Sequence, residues 1–280
     1  MHQKREKINT QKKLKIQANK NKTLPILKRE HKPFIIRNNK TTINRIERPL
    51  SFVPTKSSSE YKNLKEWINI IPNTPIFIMG NGPSLLDHDL SLLNSYFTIG
   101  INRTFFIYSP TVLFWQDRQL LRDHRDEINN CDSIKVCRDE NDPNRKYLNF
   151  SLSNSNFKFE KRTDILFGRG NSGAIVAELA VAMGASSLIL LGMDCSYRDG
   201  NNDFYGKNKD HSKYFLTMCN RGLSFIKKEC PVPVYNCSDN SIFPKKKLIE
   251  VIEEISPISY DKEYYKKLFK KEEIKGNASS

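Results

Sequence analysis

Two glycine-rich segments carry residue types that let a backbone approach an anionic ligand. The first consists of Gly80, Asn81, Gly82, Pro83 and Ser84 and directly follows an apolar run. Glycine permits a tight turn, and free backbone amides bind anions. Leu85 occupies the position of the third glycine of the dinucleotide fingerprint, so the segment favours a phosphate or nucleotide site over an NAD site. The alternative is an ordinary turn between a strand and a helix.

The second segment, residues 168–173 (GRGNSG), stands at the start of a predicted helix. Amides in the first turn of a helix attract negative charge, so Ser172 and Gly173 are candidates for the same ligand. Ser172 can instead serve only as the cap of the helix.

Polar residues directly follow several predicted strands. Asn102 can exchange hydrogen bonds with a base or a sugar, or can satisfy backbone groups inside the fold. Asp117 and Asp194 can contact a ribose, hold Mg²⁺ or cap the next helix. Ser241 ends the polar loop after the last predicted strand and is a further candidate for binding the nucleotide. Ligands of parallel sheets bind at the carboxyl ends of the strands, where these residues are expected.

His211 is the candidate acid–base group. It begins a predicted helix and follows a polar stretch that contains Tyr197 and Tyr205. Histidine is suited to take a proton from an attacking hydroxyl near neutral pH. Spacing alone favours the alternative, a surface histidine.

The elements that must position these residues alternate between β and α. Short apolar runs predict strands at residues 76–79, 97–101, 112–115, 133–137, 164–167, 188–191 and 232–235. Helical patterns occupy residues 171–183 and 212–228, and a charged helix follows the third strand as far as residue 129. This alternation predicts an α/β fold with a Rossmann-like, doubly wound, mainly parallel sheet. Pro233 places the last strand at or near an edge.

Composition divides the chain into three parts: a disordered basic arm at residues 1–58, a nucleotide-binding catalytic domain at 59–250 with a small lid at about 195–211, and a basic helix and tail at 251–280. Residues 1–50 hold 15 Lys or Arg and three acids, whereas the remaining 230 residues hold 31 basic and 28 acidic side chains. The arm can bind nucleic acid, anionic lipid or an acidic partner, or it can be a solvated terminus.

The last predicted helix, at residues 259–275, has Tyr260, Tyr264, Leu268 and Phe269 near one face. It can pack on the core or lie on an anionic membrane surface. The cysteines form no CxxC pair and no zinc spacing, and no apolar run reaches the roughly 18 residues of a membrane span. Reduced thiols predict a cytoplasmic protein, with peripheral contact at the inner membrane surface as an option.

A series of motifs then occurs in one order along residues 74–245. They are IMGNGPSL at residues 78–85, GINR at 100–103, NSGA at 171–174, LGMD at 191–194, HSK at 211–213 and YNCSDNS at 235–241. In this order they resemble the bacterial sialyltransferases of glycosyltransferase family 42. They also resemble the wider superfamily of motility accessory proteins and archaeal 6-hydroxymethylpterin diphosphokinases.

The resemblance implies a Rossmann-like sheet with a flexible lid. It implies a nucleotide pocket lined by Asn81, Gly82, Ser84, Asn102, Ser172 and Gly173. It also implies that His211 is the general base, and that Tyr205, with Tyr197 as a second candidate, bonds the departing phosphate. One position departs from the family, because Gln116-Asp117 stands where those sialyltransferases have an asparagine–proline pair. A carboxylate there would repel a donor phosphate unless a cation lay between them.

Three hypotheses follow. The first is inverting transfer of an acidic sugar from a CMP-sugar donor to the hydroxyl of a glycan or other acceptor, with no required cofactor. The second is transfer of a diphosphate from ATP to a pterin-like hydroxyl, with Asp117 and Asp194 around Mg²⁺. The third is a nucleotide- or nucleic-acid-binding protein without catalysis.

Overall fold

The structure, a computed structural model, describes residues 60–144, 146–153, 155–168, 171–206, 213–240, 242–255 and 261–271. The predicted basic arm, His211, Ser241 and Tyr260 lie outside the described residues.

The core is built on one eight-stranded sheet. Its strands are β1 (Thr74–Met79), β2 (Phe97–Ile101), β3 (Val112–Trp115), β4 (Ile134–Arg138), β5 (Leu148–Ser153), β6 (Ile165–Phe167), β7 (Ala185–Leu191) and β8 (Val234–Asn236). Each neighbouring pair is parallel, in the order β6-β5-β4-β3-β2-β1-β7-β8. The predicted parallel sheet is therefore confirmed, and β8 lies at an edge, as the proline before it indicated.

Helices cover both faces of the sheet. They are α1 (Arg118–Asp123), α2 (Arg125–Asn130), α3 (Ser172–Ala182), α4 (Lys213–Glu229), α5 (Leu248–Glu254) and α6 (Lys262–Phe269). Alternate side chains of β1 enter opposite cores: Ile76 and Ile78 pack with α3, α4 and α6, whereas Phe77 and Met79 pack with α5. Both faces of a parallel sheet must be covered, which explains why β1 is apolar throughout. None of the helices in the described part of the chain is long and apolar enough to cross a bilayer.

Three elements differ from the sequence predictions. Strand β5 was not predicted, although Leu148 and Phe150 are buried and alternate with polar residues. The single charged helix expected after β3 is two short helices that meet at His124. In α6, Tyr265 and Phe269 are buried, whereas Tyr264 is 40% exposed. The face that packs on the core is therefore centred one residue away from the predicted one.

The order of the strands indicates where in the fold a ligand is expected to bind. The chain adds β2 to β6 outward on one side of β1 and then crosses to β7 on the other side. The direction of winding reverses between β1 and β7, and ligands of doubly wound folds bind in the crevice outside such a reversal. The segment at residues 80–84 follows β1, so it lies at the carboxyl edge of an interior strand, as predicted.

A buried carboxyl group ties α3 to the far part of the sheet. Glu178 accepts hydrogen bonds from the Phe167 amide at 2.7 Å and from the Lys158 amide at 3.2 Å. Within the described ranges its side chain forms no ion pair with a basic residue, and burial raises its pKa from 4.5 to about 8. The folded chain therefore holds this proton over a pH range in which the unfolded chain has lost it.

We expect this proton to make stability fall as the pH rises. Between pH 4.5 and about 8 the folded state binds more protons than the unfolded state, so the free energy of unfolding decreases with pH, by roughly 5 kcal/mol at most. Glu178→Gln removes the titration and keeps one acceptor oxygen. The variant should have a lower free energy of unfolding than the unmodified protein at pH 5. This difference, measured by urea unfolding, should therefore shrink as the pH rises from 5 to 8.5. Glu160→Gln, at a partly exposed neighbour, is the control, and parallel profiles for Glu178→Gln and the unmodified protein would contradict the expectation.

Candidate functional site

A cleft opens at the carboxyl edge of the sheet, between the ends of β1 and β7. It is lined by Gly80, Asn81, Gly82, Ile101, Asn102, Asn171, Ser172, Gly173, Gly192, Met193, Asp194, Cys195, Asn202, Asp203, Phe215, Leu216 and Cys219. Its volume is about 100 Å³, smaller than the ~300–1,000 Å³ that ligand pockets usually occupy. The fold thus brings both glycine-rich segments and the end of β2 into one site.

The turns after β1 and β7 are bonded directly to each other. The Gly80 amide donates to the Leu191 carbonyl at 2.8 Å, and the Gly82 amide donates to the Gly192 carbonyl at 2.7 Å. A Cβ atom at Gly82 would lie 2.5 Å from the Asp194 Cγ atom, so this approach requires glycine. The expectation that these amides face an anion is therefore wrong for Gly80 and Gly82, because the protein itself occupies them.

Asp194 anchors the turn after β1. Its carboxylate accepts from the Ser84 amide at 2.8 Å, from the Ser84 hydroxyl and from the Asp239 amide at 3.3 Å. Only 2% of Asp194 is exposed. Through these bonds, the Asp194 carboxylate connects the loops that follow β1, β7 and β8.

Asp117, the other acidic candidate, lies in a more exposed environment than Asp194. Asp117 is exposed and accepts from the Gln119 amide at 2.8 Å, which caps α1. Among the residues described by the structure, Asp117 is outside the lining of the cleft. No group of three or more His, Cys, Asp or Glu side chains in the described ranges is arranged to hold a metal ion.

The start of α3 presents the open anion site that the turn after β1 lacks. Asn171 caps the helix by accepting from the Ala174 amide at 3.1 Å. The Ser172 hydroxyl accepts from the Gln116 side chain at 2.7 Å. Within the described part of the chain, no hydrogen bond engages the amides of Ser172 and Gly173. Free amides at a helix start attract phosphate or carboxylate groups, so this end of α3 fits a ligand's negative charge.

Asn102 brings an unsatisfied acceptor to the cleft. Its Oδ1 atom is buried and has no hydrogen-bond partner among the residues that the structure describes. Its backbone has a φ of +52°, a strained conformation for a residue other than glycine and one found often at functional sites. Asn81 holds this strand end in place, because its side chain donates to the Ile101 carbonyl and accepts from the Arg103 amide, each at 3.1 Å. A buried acceptor without a partner is costly, so a ligand that donates an N–H or O–H would stabilise it.

The described part of the predicted lid, residues 195–206, is attached to the turn after β1. The Phe204 amide donates to the Asn81 carbonyl at 2.7 Å. Arg198 pairs with Asp87 at 2.6 Å. The Arg103 guanidinium lies 4.6 Å from the centre of the Tyr205 ring, a distance that allows a cation–π interaction. These contacts hold the lid against the same strand ends that line the cleft.

Apart from Asp117, the predicted site residues are distributed as follows. Gly80, Asn81, Gly82, Asn102, Ser172, Gly173 and Asp194 line the cleft. Ser84 is buried behind them with Pro83 at the start of its turn, and Tyr197 and Tyr205 are exposed on the lid by 41% and 38%. His211 and Ser241 lie outside the described residues. Helix α4, whose described part starts two residues after His211, lines the cleft with Phe215, Leu216 and Cys219.

Sequence reasoning missed Met193. A Cβ atom at Gly173 would lie 2.0 Å from its Cε atom, and a Cβ atom at Gly80 would lie 2.9 Å from its Sδ atom. The Met193 side chain therefore fills the space between the two glycine-rich turns and forms the floor of the cleft. Its position within the motif at residues 191–194 was the available signal.

Solved structures were compared with this chain. It is similar to sialyltransferases from Campylobacter jejuni. The sialyltransferase CstII, in a complex with cytidine-5'-monophosphate, is 19% identical, with 61% of this chain and 82% of that chain covered and a TM-score of 0.40. An apo alpha-2,3-sialyltransferase is 18% identical, with 66% and 84% covered and a TM-score of 0.36. The monofunctional alpha-2,3-sialyltransferase Cst-I is 16% identical, with 62% and 80% covered and a TM-score of 0.36.

The sequence comparisons gave no match. No protein-family model and no curated protein matches this sequence.

Proposed function

We propose that this chain is a glycosyltransferase that transfers an acidic sugar from a CMP-sugar to an acceptor hydroxyl. The observation that carries the proposal is the buried, unpartnered Oδ1 atom of Asn102, in a cleft that also contains the open start of α3. The Asn102 Oδ1 atom requires a hydrogen-bond donor, and the start of α3 favours a negative charge. A nucleotide supplies both a donor and a negative charge in one molecule.

The donor is expected to span the cleft from Asn102 to α3. Its cytosine amino group or a ribose hydroxyl donates to Asn102 Oδ1. Its phosphate binds the amides of Ser172 and Gly173 at the helix start. The choice of CMP over other nucleotides rests on the order of motifs that resembles the family 42 sialyltransferases.

The proposed chemistry is a displacement with inversion at the anomeric carbon. His211 removes the proton of the acceptor hydroxyl, whose oxygen forms the new bond as the bond from the anomeric carbon to the phosphate oxygen breaks. The sugar passes through an oxocarbenium-like state, and CMP leaves with the electron pair. Backbone amides and the hydroxyl groups of Tyr205 and Tyr197 stabilise the departing phosphate. These donors carry the charge without a metal ion.

The contacts of the two aspartates favour sugar transfer over diphosphate transfer with Mg²⁺. Both oxygens of Asp194 already accept hydrogen bonds from the protein. Asp117 is exposed and caps α1. A magnesium site requires carboxylate oxygens that are free to meet near the ligand, and both aspartates are engaged elsewhere. The third possibility, binding without catalysis, predicts nucleotide binding without any transfer.

A thermal-shift panel of CMP, UDP, GDP and ATP, each with and without Mg²⁺, tests the donor. A ligand that binds only the folded chain raises the melting temperature, so CMP should raise it most and without a need for Mg²⁺. A shift seen only with ATP and Mg²⁺ would contradict the proposal.

Removing the Asn102 side chain should weaken CMP binding about tenfold, the equivalent of one buried hydrogen bond of roughly 1.4 kcal/mol. Asn102→Gly is the preferred variant, because glycine removes the side chain and adopts the positive φ without strain. The dissociation constant for CMP is measured by titration calorimetry. Asn94→Gly, at an exposed position outside the cleft, is the matched control. Equal CMP affinity in the Asn102→Gly and unmodified proteins would show that Asn102 does not contact the donor.

A further inference from the structure

Two cysteines lie side by side in the cleft. Cys195 directly follows Asp194 at the beginning of the lid, and Cys219 lies on α4. Both line the cleft, and their thiols are hydrogen-bonding partners. Cys195 has a φ of +51°. A non-glycine residue adopts this conformation only when its surroundings impose it.

Side-chain amides fix the backbone of both cysteines. Asn220, the residue after Cys219, donates from Nδ2 to the Cys195 carbonyl at 3.2 Å. Asn171 donates from Nδ2 to the Cys219 carbonyl at 2.8 Å. The two thiols are therefore neighbours because the start of the lid and α4 are bonded to each other.

We propose that Cys195 and Cys219 form a site of reversible oxidation, at which a peroxide converts the two thiols into a disulfide across the cleft. One sulfur attacks the peroxide oxygen, the O–O bond breaks, and a sulfenic acid and one water form. The second sulfur attacks the sulfenic acid and releases a second water. One peroxide is reduced and two thiols are oxidised, so the electrons balance. A dithiol reductant reverses the reaction.

Burial affects the reactivity of this thiol pair. The hydrogen bond with Cys219 and burial raise the pKa of the Cys195 thiol. Little Cys195 thiolate is then present near neutral pH, and the thiolate is the nucleophile. Whichever thiol loses its proton attacks the peroxide, and the other thiol resolves the sulfenic acid.

The disulfide would act on the ligand site through Asn171. This residue bonds to the Cys219 carbonyl and also caps α3, whose first residues line the cleft. A disulfide requires sulfurs about 2.05 Å apart, closer than hydrogen-bonded thiols, and it would tie the start of the lid covalently to α4. The bond would restrain the side of the cleft at which Asn171 contacts α4 and caps α3.

Peptide mapping of the full chain tests the site. The protein is treated with hydrogen peroxide, free thiols are alkylated, and the chain is digested with trypsin. Trypsin separates the two cysteines because Arg198 and several lysines lie between them. We expect a linked pair of peptides, residues 170–198 with residues 214–221, which disappears after treatment with dithiothreitol. No activity assay is involved, so the result does not depend on the proposed transfer reaction.

Variants separate this pair from the other thiols. Cys195→Ser and Cys219→Ser should each abolish the linked peptides, whereas Cys230→Ser, at a partly buried cysteine outside the cleft, should retain them. In each of the two single variants, the cysteine that remains should be trapped as a sulfenic acid by dimedone. Absence of the 195–219 link in the folded, peroxide-treated protein would overturn the proposal.

Discussion

Replacing His211 with alanine is expected to lower the rate of sugar transfer by about 10²–10⁴-fold, the usual contribution of a general base. The affinity for CMP should stay unchanged, because the base contacts the acceptor and not the donor. Both quantities are measurable on one preparation, the first as an initial rate and the second by calorimetry. Asn102→Gly should show the opposite pattern, with weaker CMP binding as its first effect.

A second histidine provides the control for His211. His124 lies between α1 and α2, and its ring packs against Phe106 at a centroid distance of 5.0 Å. His124→Gln should transfer sugar at nearly the unmodified rate, because this histidine packs against an aromatic ring instead of reacting. Full transfer by the His211→Ala protein would remove the proposed base and the main support for a sialyltransferase-like mechanism.

Among the substitutions considered, Asp194→Ala is expected to lower the free energy of unfolding the most. The change leaves the Ser84 amide and hydroxyl without their acceptor, and Ser84 is fully buried. A buried donor left unpaired costs about 1–3 kcal/mol, and bonds to a charged group cost more, so the total should be about 3–5 kcal/mol. The melting temperature should fall by about 10 °C. CMP affinity should fall as well, since the floor of the cleft loses its anchor.

Asp117→Ala is the matched comparison for Asp194→Ala. It removes one exposed helix cap, for which the usual cost is about 1 kcal/mol. If both variants lost the same stability, the anchoring role of Asp194 would be wrong. If Asp117→Asn abolished a Mg²⁺-dependent activity with ATP, diphosphate transfer would replace sugar transfer as the proposed reaction.

The fold could be predicted from the sequence because its strands are short apolar runs that end at turn residues. Residues 76–79 and 188–191 are buried on both faces, and continuous apolar runs are typical of such strands. β5 was harder to recognise, because it is an edge-proximal strand with alternating polar residues and the pattern covers only six residues. The break at His124 depends on tertiary packing against aromatic rings, which no local pattern reports.

Many of the residues that line the cleft could be predicted from the sequence, but the contacts between them could not. The carboxyl ends of parallel strands share one edge, so Gly80, Asn102 and Ser172 could be expected together. The bonds that occupy the glycine amides come from β7, more than a hundred residues further along the chain. The anchor of Ser84 on Asp194 spans 110 residues. Contacts of that range depend on how the strands are ordered, and the same holds for the thiol pair at Cys195 and Cys219.

The two ends of the described core meet at one place. The Lys62 amide donates to the Phe269 carbonyl at 2.6 Å, and the Lys271 amide donates to the Glu60 carbonyl at 2.9 Å. Glu60 and Tyr61 lie beside Ser133 and Leu148, at the amino ends of β4 and β5. The chain thus enters and leaves the core at the edge of the sheet opposite the cleft. An affinity tag, a fluorophore or a solid support joined before Glu60 or after Lys271 would be tethered at that edge, which leaves the mouth of the cleft facing away from the point of attachment.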